Sequence, residues 1–368
     1  MSAAPSFPRW IEIVVLPIVN LMLAFLVAGV VVVAVGENPF EAISVLITGA
    51  VGSKISIGYT LFYATNFIFT GLAVALAFHC GLFNIGGEGQ AYIGGLGIGL
   101  VCLYLDILPP ILIVPVAIAG GAVFGALWAF LPGYLQATRG SHIVITTIMF
   151  NFIAAALMVF LMTNVLILPG QMSPESRPFI ESATLSTMQD LFLMLGTDIG
   201  RSPLNLSFFW ALVCCVGTWV LIWHTPLGYA IRSVGQNTRA AIYCGIKPTR
   251  IIVITMLISG AMAGFLGLNE IMGFQERLIL NFTGGYGFVG IAVSLMGRNH
   301  PVGIFLAAIL FGALYQGGTE LSFEFPALTK EVVIVMQGLI ILFAGALEYM
   351  LWPAVRRVAG SILRLRTS

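Results

Sequence analysis

No charged residue interrupts the chain between Ile13 and Val35, and apolar runs of this kind recur to its end. About 20 apolar residues in a helix are enough to cross a bilayer. Backbone groups in hydrocarbon must pair within their own segment, so such runs fold as spanning helices. A soluble alternative is excluded by composition. Hydrophobic residues make up 59% of the chain and charged ones 8%, with a mean hydropathy of +1.03, whereas soluble domains carry about 25% charged residues. The chain reads as an all-α integral membrane protein, a single transmembrane domain over 1–368 with about ten spanning helices, some broken or short. The first run is also too long for a signal-peptide core of about 7–15 residues, and reads as a retained span. A net charge of +1 implies no polyanionic partner and no nucleic acid.

Taken in order, span one is Ile13–Val35, and a polar loop with Glu37, Glu41 and Lys54 follows. Span two runs over Tyr59–Phe78, and its Asn66 and Thr70 share a face at i, i+4. Span three is Ala91–Leu105. Asp106 and Pro109-Pro110 turn the chain into span four, Ile111–Leu131, which Pro132-Gly133 is expected to end. Span five, Ile143–Leu168, carries Thr147 and Asn151 on one face. The long polar segment 169–207 contains a short amphipathic helix at Leu185–Leu195. Span six is Phe208–Trp223, and span seven, Ile251–Met272, ends on Asn269 and Glu270. The apolar run Phe288–Met296 is too short for a straight crossing and is read as one short crossing within Thr283–Gly297. Spans nine and ten are Val302–Tyr315 and Val332–Leu351.

Basic residues set the orientation, because cytoplasmic loops hold the excess of Lys and Arg. Arg356, Arg357, Arg364 and Arg366 place the tail inside, and ten crossings place the N-terminus inside too. Arg9, Arg139, the segment 224–250 and Arg298 are then cytoplasmic. The segment 169–207 and the loops 36–57 and 319–330 fall outside.

One stretch departs from the apolar pattern. His79–Leu100, HCGLFNIGGEGQAYIGGLGIGL, sets Asn84, Glu88 and Gln90 among glycines. It is no phosphate loop, since no Lys-Ser/Thr follows the glycines. It is no dinucleotide fingerprint either, since a spanning helix precedes it. Glycines there allow close helix packing, which leaves Glu88 unexplained. A carboxylate costs about 2.5–3.5 kcal/mol at mid-membrane on insertion scales. Broken helices at depth are where transporters place sites and gates. Two readings stay open, a pathway or gate role and a structural role for Glu88 in holding the broken backbone. The position of the stretch at a cytoplasmic return favours an inner gate.

Asn66, Thr70, Thr147, Asn151, Asn269 and Glu270 are the other polar candidates within spans, as interhelical glue or as pathway lining. The segment 224–250 holds Arg232, Arg239, Lys247 and Arg250 and no acid, with a helical middle at Thr238–Cys244. It is longer than a turn requires and has the form of a docking helix. The histidines (79, 142, 224, 300) lie at span ends, and the five cysteines form no CxxC pair, so neither set points to a metal. No carboxylate pair or Ser-His-Asp set with catalytic spacing supports an enzyme.

Four runs carry a family resemblance: GLFNIGGEGQ (Gly81–Gln90), ITTIMFNFIA (Ile145–Ala154), GYAIRSVGQNTRAA (Gly228–Ala241) and GGYGFVGIAVSLMGRNHPVG (Gly284–Gly303). Together they resemble permease subunits of bacterial ABC importers in the branched-chain amino acid/ribose permease superfamily. The branch is that of nucleoside and simple-sugar systems working with a basic-membrane-protein-type lipoprotein, and the likeness covers most of residues 58–350. It implies a ten-span permease in the bacterial cytoplasmic (inner) membrane, paired with a sister permease or with itself. It further implies a cytoplasmic double-module ATPase holding the ATP and Mg, an extracytoplasmic solute-binding lipoprotein, and a small-molecule solute. No cofactor is implied on this chain. Gly228, Arg232, Gly235, Asn237, Arg239, Ala240 and Ala241 would face the ATPase. His79 departs from the pattern, in which Lys or Arg is common. The rival readings are an ion-coupled secondary transporter using Glu88 and Glu270, and a membrane enzyme.

Overall fold

Long apolar runs with backbone groups paired internally give a chain of helices in the computed structural model, which describes residues 16–194, 196–197, 200–329 and 332–339. The helices are α1 (Leu16–Val35), α2 (Pro39–Val51), α3 (Lys54–His79), α4 (Gly87–Tyr104), α5 (Pro110–Arg139), α6 (Ile143–Asn164), α7 (Met188–Met194), α8 (Ser207–His224), α9 (Pro226–Gln236), α10 (Thr238–Tyr243), α11 (Pro248–Gly264), α12 (Tyr286–Met296) and α13 (Pro301–Glu324). A π-helical segment, Leu268–Gln275, continues α11. Residues 332–339 are helical as well. Strand pairing among the described residues is confined to one bridge, Thr187 to Asn205.

Among the described residues, six helices are long and apolar enough to cross a membrane, or seven if Leu26–Val35 and Pro39–Val51 act as one span bent by 116°. That is fewer than the ten expected from sequence. Glycines and Glu88 dilute the hydropathy of α4, and α12 has 11 residues, a rise of about 16 Å. The outer loop expected over 36–57 contains α2. Asn38 caps it by accepting the Phe40 amide hydrogen, and Pro39 takes a first-turn place that needs no donor. Pro132-Gly133 does not end span four either. α5 runs on to Arg139 and stops at Gly140, whose φ is +66°. A proline costs its helix one hydrogen bond, and Gly133 there lies against Met256 of α11. α13 extends to Glu324, into the loop expected at 319–330. The expected amphipathic helix at Leu185–Leu195 is α7, and the helical middle of the basic segment is α10. Residues 340–351 of the tenth expected span, and the tail arginines, lie outside the described residues.

The chain divides into two units, Ser53–Ala313 and the pair Met1–Gly52 with Leu314–Ser368. In the larger unit α3 is the axis, buried without interruption from Ala64 to Ala77. In the smaller unit α1, α2, the end of α13 and residues 332–339 share a core of Ala28, Val32, Ala42, Leu46, Leu321 and Met336.

Candidate functional site

The break after α3 starts from its own C-terminus. Gly81, at φ +73°, adopts the left-handed conformation. The Gly81 and Leu82 amides return to the Phe78 and Ala77 carbonyls, a helix-ending motif that glycine favours. The chain then folds back into the protein before α4 begins. Asn84 and Gln90 hold that return with paired amides: Asn84 Nδ2 donates to Gln90 Oε1 at 2.9 Å, and Gln90 Nε2 donates to Asn84 Oδ1 at 3.1 Å. Asn84 also donates to Ser259 Oγ at 2.9 Å, and Ser259 donates onward to the Ala73 carbonyl of α3. Asn151 of α6 grips both sides of the break, accepting from Gly89 N at 2.9 Å and donating to the Ile85 carbonyl at 3.0 Å. Thr147, one turn before it, bonds its own helix and packs beneath Gly86. The shared face of Thr147 and Asn151 is thus the face that carries the break.

Glu88, in the first turn of α4, reaches the start of a second short helix. Its Oε1 accepts from Thr283 Oγ1 at 2.5 Å and from Gly285 N at 3.0 Å, and its Oε2 accepts from Gly287 N at 2.8 Å. Two of those donors are amides at the N-terminus of α12, where a carboxylate both caps the helix and meets the positive end of its dipole. A methyl group on Gly287 would overlap the backbone of Glu88. The chain reaches this point as a run of bends and turns lying along α4. Leu278 rests at Gly99 and Phe282 at Gly95, while Asn281 N donates to Tyr92 Oη at 2.8 Å. Glu276 and Asn281 have φ of 53° and 57°, and Gly284 and Gly285 51° and 83°. The far end of the segment is anchored to 175–179, through Leu278 N to Ser176 Oγ and an Arg277–Glu175 ion pair of 2.8 Å.

α12 packs along α3. Tyr286 meets Tyr63 and Phe67, Gly290 meets Thr70, and Asn299, beyond its end, bonds His79 through its carbonyl. Glu88 therefore sits level with the middle of α3 and not at its C-terminal end. This overturns the placement expected from sequence: residues 80–86 climb back before α4 starts, which a linear tracing of spans does not show. Thr70 bonds the Asn66 carbonyl and seats Gly290.

A second buried polar set ties α3 to the π segment and to the start of α8. Asn66 Nδ2 donates to Glu270 Oε1 at 2.6 Å, and Asn269 Nδ2 donates to Asn66 Oδ1 at 2.9 Å. Asn269 Oδ1 accepts from Asn205 Nδ2 at 3.0 Å and from Ser207 Oγ at 2.9 Å. Asn66, Asn269 and Asn205 are fully buried, and Glu270 nearly so.

The basic segment folds as α9 and α10 against the break. Gly228 makes the corner after α8 possible, since a side chain there would strike the Leu221 and Ile222 carbonyls. Gly235 lies against the backbone of His79, Cys80 and Gly81, so the end of α9 touches the first residues of the broken stretch. Asn237 caps α10 by accepting from Arg239 N and Ala240 N at 3.0 and 3.1 Å. Ala241 is buried beside Ile231, while Arg239 and Ala240 are exposed and Arg232 is half-buried. His79 and His300 both pack on Trp223. Among the described residues, no group of three His, Cys, Asp or Glu is placed to hold a metal.

Sequence reasoning missed the partners. Thr283, Ser259, Tyr92, Asn205 and Ser207 complete the networks, and only the glycines that follow Thr283 flagged its surroundings.

Comparison with known proteins adds an independent line. A family model described as branched-chain amino acid transport system / permease component matches residues 56–345. The nucleoside ABC transporter permease protein NupB of Lactococcus lactis is 32% identical, over 95% of this chain and 95% of its own. The guanosine ABC transporter permease protein NupP of Bacillus subtilis is 35% identical, over 94% and 95%. The glucose ABC transporter permease protein TsgB13 of Haloferax volcanii is 32% identical, over 94% and 90%. No solved structure matches the chain.

Proposed function

The chain belongs to the branched-chain amino acid transport system / permease component family, and from that premise we propose that it forms the membrane pathway of an ABC importer for nucleosides or simple sugars. The observation that carries the solute class is the near full-length likeness to nucleoside, guanosine and glucose permeases. A permease subunit is not itself an enzyme. In this proposal ATP and Mg are held by a double-module ATPase, solute arrives on an extracytoplasmic lipoprotein, and a second permease subunit completes the pathway in a bacterial inner membrane. Ten crossings with both termini inside then require α4, the short α12, the bent α1–α2 pair and the expected span at 332–351 each to count as one beside the six long helices.

The geometry supports a route for the coupled motion. Exposed Arg239 and Ala240 meet the ATPase, while α9 carries the displacement through Gly235 to Cys80 and Gly81. From there the Asn84–Gln90 pair and Asn151 move with the start of α4. Glu88 draws α12 with it through the Gly285 and Gly287 amides. Glu88, Asn84, Gln90, Asn151, Thr147 and Thr70 act in this scheme as gate residues, through the helices they hold. Asn66, Asn269 and Glu270 hold α3 to the π segment and to the start of α8 in the same scheme. The ion-coupled alternative is less well supported, because both oxygens of Glu88 already accept protein donors.

The test is co-purification in mild detergent followed by reconstituted uptake of labelled guanosine and glucose. The proposal expects a double-module ATPase and a second permease to co-purify, and uptake to require ATP. Uptake that ignores ATP and collapses with the ion gradient would overturn it.

A further inference from the structure

Between the ends of α5 and α11 lies a cleft of about 750 Å³ that the transport scheme does not use. Its rim carries Lys247 and Arg250, and its wall is Tyr134, Ile242, Val253 and Ile254. No acid lines it, and the sequence holds none from 199 to 269, so the two cations have no carboxylate of their own segment to neutralise them. Arg250, Val253 and Ile254 stand at i, i+3 and i+4, which puts the basic head and the apolar wall on one face of α11. α11 also opens on Pro248 without a side-chain cap, and its Ile251 amide bonds the Lys247 carbonyl, so the amides of Thr249 and Arg250 are the first-turn donors open to an acceptor. Tyr134 and Ile242 are exposed, at 44% and 57%. A cleft that is basic at the helix ends and apolar one turn deeper has the polarity of a phospholipid, headgroup at the interface and chain in hydrocarbon. A free phosphate would have no use for the apolar wall.

We propose that this cleft binds one anionic phospholipid, its phosphate between Lys247 and Arg250 and its acyl chain along Val253 and Ile254. The inference rests on the orientation proposed above, which makes these helix ends cytoplasmic, but not on the solute. Native mass spectrometry of the assembled transporter, titrated with phosphatidylglycerol, phosphatidylcholine or inorganic phosphate, tests it without any transport measurement. The wild type is expected to retain one tight phosphatidylglycerol and to prefer it over phosphatidylcholine. K247Q/R250Q is expected to bind it about thirtyfold more weakly, the loss of two surface cations. The charge-keeping K247R/R250K and the control R139Q, whose cation lies outside the cleft, are expected to retain it. Equal retention of phosphatidylcholine by the wild type overturns the proposal even if the double variant fails to fold. So does unchanged binding in K247Q/R250Q, or displacement of the lipid by millimolar phosphate.

Discussion

Among the described residues, half-buried Glu88 and buried Glu270 are carboxylates within the helix bundle, and they are held differently. Glu88 accepts three hydrogen bonds on two oxygens, two of them from amides that start α12. Glu270 accepts one, from Asn66, within a chain of amides and a hydroxyl. Removing Glu88 undoes a junction between helices, whereas Glu270 belongs to a network that keeps other links through Asn269. A carboxylate in a membrane protein is commonly read as a site for a solute or ion. Here the first works as a tie between broken helices.

The strongest attack on this contrast is Gly287→Ala, since the added methyl meets the Glu88 backbone. Overpacking of this kind costs about 3 kcal/mol, and a lower Tm of the detergent-purified protein is the expected reading. Glu88→Gln comes next. It removes the charge and turns a donor toward the α12 amides, where each bond to a charged group contributes about 1.5–3 kcal/mol. Uptake should fall about tenfold or more, with solute capture by the proposed binding lipoprotein unchanged; wild-type uptake would reduce the stretch to packing. Thr283→Val withdraws one of the three donors at a cost of about 1.5 kcal/mol, and a several-fold drop in the same assay is expected. Glu270→Gln keeps an acceptor for Asn66 and should lower uptake about threefold or less, in line with interhelical bonds of about 0.6 kcal/mol. A loss as deep as that of Glu88→Gln would erase the contrast and revive ion coupling.

Much of the architecture is legible in the sequence because hydrocarbon imposes it. Apolar runs mark α3, α5, α6, α8 and α11, and the i, i+4 spacing of Thr147 and Asn151 marks the face that meets the break. The oddity of Glu88 is visible too. Its depth is not, because a tracing that alternates sides has no means of showing that residues 80–86 climb back. The partners of Glu88 stand some 200 positions away, at Thr283, Gly285 and Gly287, and no local period encodes that pairing. α2 was hidden by the charges around it, which read as loop.

The turn-rich segment that lies along α4 has a consequence for how the chain is made. The amides of Leu278, Asn281 and Gly285 and the carbonyls of Glu276 and Leu278 are satisfied by Ser176, Tyr92, Glu88 and the backbone near 176–179, all of which leave the ribosome first. In bare lipid each unpaired group would cost several kcal/mol, and α12 alone is too short to draw the segment in. Residues 276–296 thus cannot be inserted as an autonomous unit. They must be received by a bundle already standing, so α3 and α4 serve as the template for residues 276–296 during biogenesis.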